Sequence, residues 1–131
     1  MAETPMEYGT PIYVYVFQRN GTATLEENLS DVIGINLAYK AYQRWVTRNR
    51  PESMLPGVKF TTNQFFWIMA STYLCHDPNL DENDTCKNDD RHGISSFRVV
   101  GPIRNSPYFA KDWNCPVGSR MNPEDKCLIL T

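Results

Sequence analysis

In TLEENLSD, residues 24–31, Glu26, Glu27 and Asp31 stand close together in a run with helical spacing. Glu27 and Asp31 are one turn apart on the same helix face. A carboxylate placed there can cap the helix start, sit in water, or offer its oxygens to a metal ion or a basic partner. The face continues with Gly34 and Ala38, small residues that let another helix come close; a solvated face would more usually continue with Lys, Gln or Glu. Thr24-Leu25-Glu26-Glu27 fits a capping box in which Glu27 reaches back to the Thr24 amide. Asp31 has the alternative of an exposed acid in an early turn, favoured by the helix dipole. Of the two histidines, His76 and His92, neither has a partner at a metal-binding spacing. By pattern alone His92 is an exposed loop residue and Arg98 a side chain that lays its stem along the surface.

The elements that must position these groups read as follows. From Leu25 to about Arg48 the apolar residues Leu25, Leu29, Val32, Ile33, Leu37, Ala41 and Trp45 recur at helical spacing. TTNQFFWIMASTYLC, residues 61–75, predicts a second helix capped by Thr61 with Gln64 three residues on. It is apolar nearly all round, so burial on several sides is expected. NSPYFAKDW predicts a short helix with Ser106 as cap and Pro107 at the first helical position. PIYVYVF, residues 11–17, and SFRVV, residues 96–100, read as strands, the second ended by Gly101-Pro102. Residues 76–93 form an acidic loop that lacks the glycine and terminal glutamate of a calcium loop. The expected class is therefore mainly α with short strands.

Composition narrows the function. The chain has 131 residues, 41% apolar and 21% charged, which is globular and allows one domain or part of one. A net charge of −2 with no basic stripe argues against nucleic acid or an acidic membrane as partner. No apolar run approaches a membrane span, and the leading residues carry Glu3 and Glu7 where a signal peptide would be positive. Four widely spaced cysteines, Cys75, Cys86, Cys115 and Cys127, read as disulfides with three possible connectivities. Together with N-x-[ST] sequons at Asn20, Asn28 and Asn83 they suggest an extracellular glycoprotein.

Five blocks carry a resemblance: NGTATLEENLSD (20–31), AYKAYQRW (38–45), LPGVKFTTNQFFW (55–67), STYLC (71–75) and RHGISSFRVVGPIRNSPYFAKDWNCPVGSRMNPEDKC (91–127). In this order and at these distances they resemble the C-terminal part of the neprilysin and endothelin-converting-enzyme family of zinc metalloendopeptidases. The resemblance implies that residues 20–131 are the C-terminal portion of a zincin-like catalytic domain, with 1–19 an unmatched segment. It implies an extracellular or cell-surface enzyme acting on peptides. It places Glu27 as the third zinc ligand and Asp31 as the residue that orients a zinc-bound histidine through its other ring nitrogen. His92 falls at the position that stabilises the oxyanion, and Arg98 at the position that holds a backbone carbonyl of the substrate. Asn28, inside the metal motif, is then not expected to carry sugar.

The chain also departs from that pattern. H-E-x-x-H, which supplies two histidine ligands and the general base, is not in this sequence. DVIG puts Ile33 at a normally small position, RHGISSFR lacks a proline after the histidine, and the chain ends CLILT in place of an aromatic. In the family Cys75, Cys115 and Cys127 pair with upstream cysteines, and Cys86 is additional. The expectation is a chain that, alone, neither binds zinc nor hydrolyses peptides, and whose partner is the missing upstream part of the catalytic domain. The other reading is a non-catalytic decoy or interaction module derived from such a peptidase.

Overall fold

The computed structural model describes residues 22–50, 52–75, 92–93 and 95–127. Among these, four α-helices follow in order: α1 Leu25–Arg48, α2 Thr62–Thr72, α3 Ser95–Asn105 and α4 Pro107–Asp112. The strand expected at residues 11–17, the acidic loop, His76, Cys86, Asn20 and Asn83 lie outside the described residues.

α1 takes the bounds its apolar spacing predicts. It stops where Asn49 turns extended and both its backbone N–H and its side-chain amide bond to the Trp45 carbonyl. α2 starts on the expected capping box: the Gln64 amide donates to Thr61 Oγ1 at 3.2 Å, and the Thr61 amide donates to Gln64 Oε1 at 3.0 Å. α4 starts as expected on Ser106, with Pro107 following and the Phe109 amide donating to Ser106 Oγ.

The strand expected at 96–100 is a helix, and the only β feature among the described residues is an isolated bridge between Ser119 and Asn122. Local preference misleads here. Val99 and Val100 favour strands, and a proline before the end of a helix is costly. Yet Val99, Pro102 and Ile103 repeat at helical spacing, with Pro102 and Ile103 buried and Val99 packed against the core. The clash that normally keeps the residue before proline out of the α region involves its Cβ, and Gly101 has none. Burial of that stripe overrides propensity.

The core is aromatic. Tyr39 of α1 stacks on Trp67 of α2 with ring centroids 4.8 Å apart and on Tyr108 of α4 at 5.3 Å, with Ile103 completing the buried cluster. One carboxylate satisfies the polar tips of these rings. Asp112 Oδ2 accepts from the Tyr39 hydroxyl at 2.7 Å and from Trp67 Nε1 at 2.8 Å, while Oδ1 accepts from Asn63 Nδ2. Burial, then the bond and charge of Asp112, hold the Tyr39 phenol well above its ordinary pKa.

α2 is less enclosed than its composition predicts. Trp67 is buried, Phe65, Phe66 and Ile68 are half-buried, and Met69 is 51% exposed. Leu37, Tyr73, Phe97 and Val100 also lie exposed. Cys75, Cys115 and Cys127 are free thiols, so the internal disulfides that four cysteines suggest do not form among these three.

Candidate active-site cluster

α1 presents two of its three acidic residues, Glu27 and Asp31, to the segment that leads into α3. Glu27 Oε2 lies 3.1 Å from His92 Nε2, both side chains about a third exposed. One turn on, Asp31 takes two bonds from a single guanidinium: Arg98 Nε donates to Oδ2 and a terminal nitrogen to Oδ1, each at 2.8 Å. This is the fork-on-carboxylate geometry that a lysine cannot reproduce. It is about four-fifths shielded from solvent. The Asp31 bond and charge, with the Glu27 carboxylate beside them, raise the Arg98 pKa still further, against the opposing effect of burial. An ionised carboxylate has about four acceptor sites, so Asp31 can still take a bond from another donor.

The structure thus brings together Glu27, Asp31, His92 and Arg98. It also corrects how Glu27 and Arg98 are held. Thr24 makes no side-chain cap to the helix backbone; its hydroxyl oxygen accepts from Asn28 Nδ2 at 3.0 Å, and Glu27 faces His92. The capping box is therefore not formed. Arg98 projects from a helix turn and is anchored at its head. Gly93 lies close by: a Cβ added there would stand 3.7 Å from Asn28 Oδ1 and 3.7 Å from Arg98 Cγ, ordinary van der Waals distances.

Two residues to which sequence reasoning gave no part in the site, Asn36 and the helix cap Ser106, continue this alignment. Ser106 Oγ donates to Asn36 Oδ1 at 2.8 Å, and the Tyr39–Asp112 bond follows one turn later along α1. The partners of Glu27, Asp31, Asn36 and Tyr39 are His92, Arg98, Ser106 and Asp112, ascending in both segments. α1 and the α3–α4 segment therefore run side by side in the same direction. The available signal was Asn36 itself, a polar residue on the stripe that buries Val32 and Tyr39.

Zinc needs three or more donors at one point, and among the described residues no group of three His, Cys, Asp or Glu could hold a metal ion. No helix among the described residues is long and apolar enough to cross a membrane.

The chain is 40% identical over 110 residues to endothelin-converting enzyme 1 of Rattus norvegicus, covering 84% of this chain and 14% of that protein. It is 40% identical over 110 residues to neprilysin-2 of Drosophila melanogaster, again 84% and 14%. To neprilysin of Oryctolagus cuniculus it is 36% identical over 110 residues, 84% of this chain and 15% of that protein. The chain spans about one-seventh of the length of these curated relatives. The pattern of Peptidase family M13, a family of zinc-dependent peptidases, matches residues 4–129. A mainly helical chain that matches this pattern almost throughout, and sets Glu27 and Asp31 against His92 and Arg98, belongs to Peptidase family M13.

Proposed function

We propose that this chain is the C-terminal portion of the catalytic domain of a neprilysin-type metalloendopeptidase, and that it furnishes one wall of the peptide-cleaving site. The observation that carries the reading is the paired contact across α1 and the α3 segment: two carboxylates one turn apart, each against one basic side chain.

Glu27 contributes a carboxylate oxygen toward the metal, whose remaining ligands and whose general base come from outside these residues. Asp31 holds Arg98 in place and keeps acceptor capacity to orient a histidine on the opposite wall. His92 donates a ring N–H to the oxygen that becomes negative when the scissile carbonyl is attacked. Arg98, permanently charged, donates from its outer edge to a backbone carbonyl of the bound peptide. The exposed Met69, Phe97 and Val100 are surface that the remainder of the catalytic domain covers. Alone, the chain lacks the general base and hydrolyses nothing. The setting is extracellular or at the cell surface.

The test is a kinetic split in the intact peptidase that carries this segment. His92→Gln lowers kcat by about 100-fold or more with KM nearly unchanged, as for loss of an oxyanion donor. Arg98→Ala raises KM. Wild-type kcat in the first variant and wild-type KM in the second would overturn the assignment.

A further inference from the structure

The two paired contacts of the cluster, Glu27–His92 and Asp31–Arg98, form only if α1 and the α3 segment are aligned along their length. The apolar packing between them is non-directional and sets that alignment loosely. Asn36 and Ser106 sit between the solvent-facing cluster and the aromatic core, 2% and 0% exposed. Ser106 Oγ donates to Asn36 Oδ1 at 2.8 Å, Asn36 Nδ2 donates to the Val32 carbonyl at 2.9 Å, and Ser106 Oγ accepts from the Phe109 amide. Sliding one segment along the other would break a side-chain bond that no water can replace. The link also belongs to both elements that matter. Asn36 is on the helix of Glu27 and Asp31, and Ser106 directly follows the helix of Arg98.

We infer that the buried Asn36–Ser106 bond is a register pin: a pair of positioning residues that holds Arg98 against Asp31, and His92 against Glu27, without touching substrate or metal. Its consequence for catalysis rests on the site reading above; its structural effect does not. Replacing both partners together, Asn36→Leu with Ser106→Ala, removes the bond without leaving Asn36 or Ser106 facing an unpaired partner. It also removes the α4 cap on the Phe109 amide, so a modest loss of stability is expected. What it removes is the directional contact. Buried polar pairs specify alignment in this way elsewhere, as a single buried Asn does in coiled coils.

The experiment has two arms. In the 131-residue chain, the Arg98 Nε–H signal and its hydrogen exchange are followed by NMR, beside helical content and thermal melting. The double variant keeps its helices and melts modestly below wild type, as loss of the α4 cap requires, while exchange at Arg98 Nε–H speeds up by about 10-fold or more as the fork opens. Ser106→Gly, which removes cap and hydroxyl but leaves Asn36 in place, separates the two effects. Ser106→Thr, which keeps the hydroxyl but adds a methyl at a fully buried position, loses some stability and keeps Arg98 protection wherever it stays folded. In the intact peptidase the double variant keeps its zinc content and loses about 10-fold or more in kcat/KM, chiefly through KM. A folded double variant with wild-type Arg98 protection overturns the pin. So does a double variant that fails to fold, because the pair is then a stabilising contact only. If Arg98 protection is lost but Arg98→Ala leaves KM unchanged, the pin stands and the site reading falls.

Discussion

Asp31 and Arg98 meet through two hydrogen bonds of 2.8 Å between α1 and α3, an ion pair shielded from solvent over about four-fifths of its surface. The fork fixes the guanidinium plane, and with it the direction in which the outer N–H groups point. Arg98→Lys keeps the charge and loses the plane. We expect it to cost about 1 kcal/mol in stability, measured by denaturant unfolding, and to raise KM nearly as far as Arg98→Ala does. A lysine variant with wild-type KM would show that only charge matters at this position.

Much of this arrangement was legible in the residues. The helical spacing from Leu25 to Arg48, the Thr61–Gln64 capping box and the Ser106-Pro107 start are local signals, and local hydrogen bonds decide them. α3 was not legible, because its helix is imposed by burial of Val99, Pro102 and Ile103 against other elements, which propensity does not see. Glu27 was ambiguous for a related reason. The same carboxylate that could cap its own helix finds His92 from a distant segment, and only tertiary structure brings that partner within reach. The resemblance pointed to Glu27, Asp31, His92 and Arg98, which the structure brings side by side, but said nothing of how Arg98 is held, nor of the Asn36–Ser106 bond.

Asp112 gathers the Tyr39 hydroxyl and the Trp67 indole N–H on one oxygen at the centre of the core. Asp112→Ala leaves both donors buried without an acceptor, a loss of about 3 kcal/mol or more. Asp112→Asn keeps one acceptor oxygen and falls between alanine and wild type. Chemical denaturation of the three proteins measures the order; equal stability of Asp112→Ala and wild type would remove Asp112 as the organiser of the core.

Tyr39 gives the fold an alkaline limit. Its phenol titrates higher in the folded state than in the unfolded chain, where it takes the ordinary value of about 10. Below about pH 10 both states keep the proton and the contribution is fully present. Above it the unfolded state loses its proton first, so stability falls as pH rises toward the folded pKa. Tyr39→Phe removes this slope, and melting temperatures between pH 8 and pH 11 for both proteins check it. Parallel pH profiles would contradict the assignment.

Among the described residues no group of three His, Cys, Asp or Glu could hold a metal ion. The proposed role of Glu27 supplies one oxygen ligand where a stable site needs three or four donors. Calorimetric titration of the 131-residue chain with zinc is expected to show no stoichiometric binding at micromolar affinity. A one-to-one site in that range would reveal a ligand set other than the one proposed.

The most direct measurement of the central claim is the zinc content of the intact peptidase carrying this segment, with Glu27→Gln and Asp31→Asn compared with wild type by metal analysis after dialysis. If Glu27 is a metal ligand and Asp31 acts through a histidine, Glu27→Gln emerges without zinc. Asp31→Asn then retains part of it, with affinity or activity lowered roughly 10–100-fold. Full, equal zinc in the Glu27 variant would contradict the account, leaving Glu27 as no more than the partner of His92.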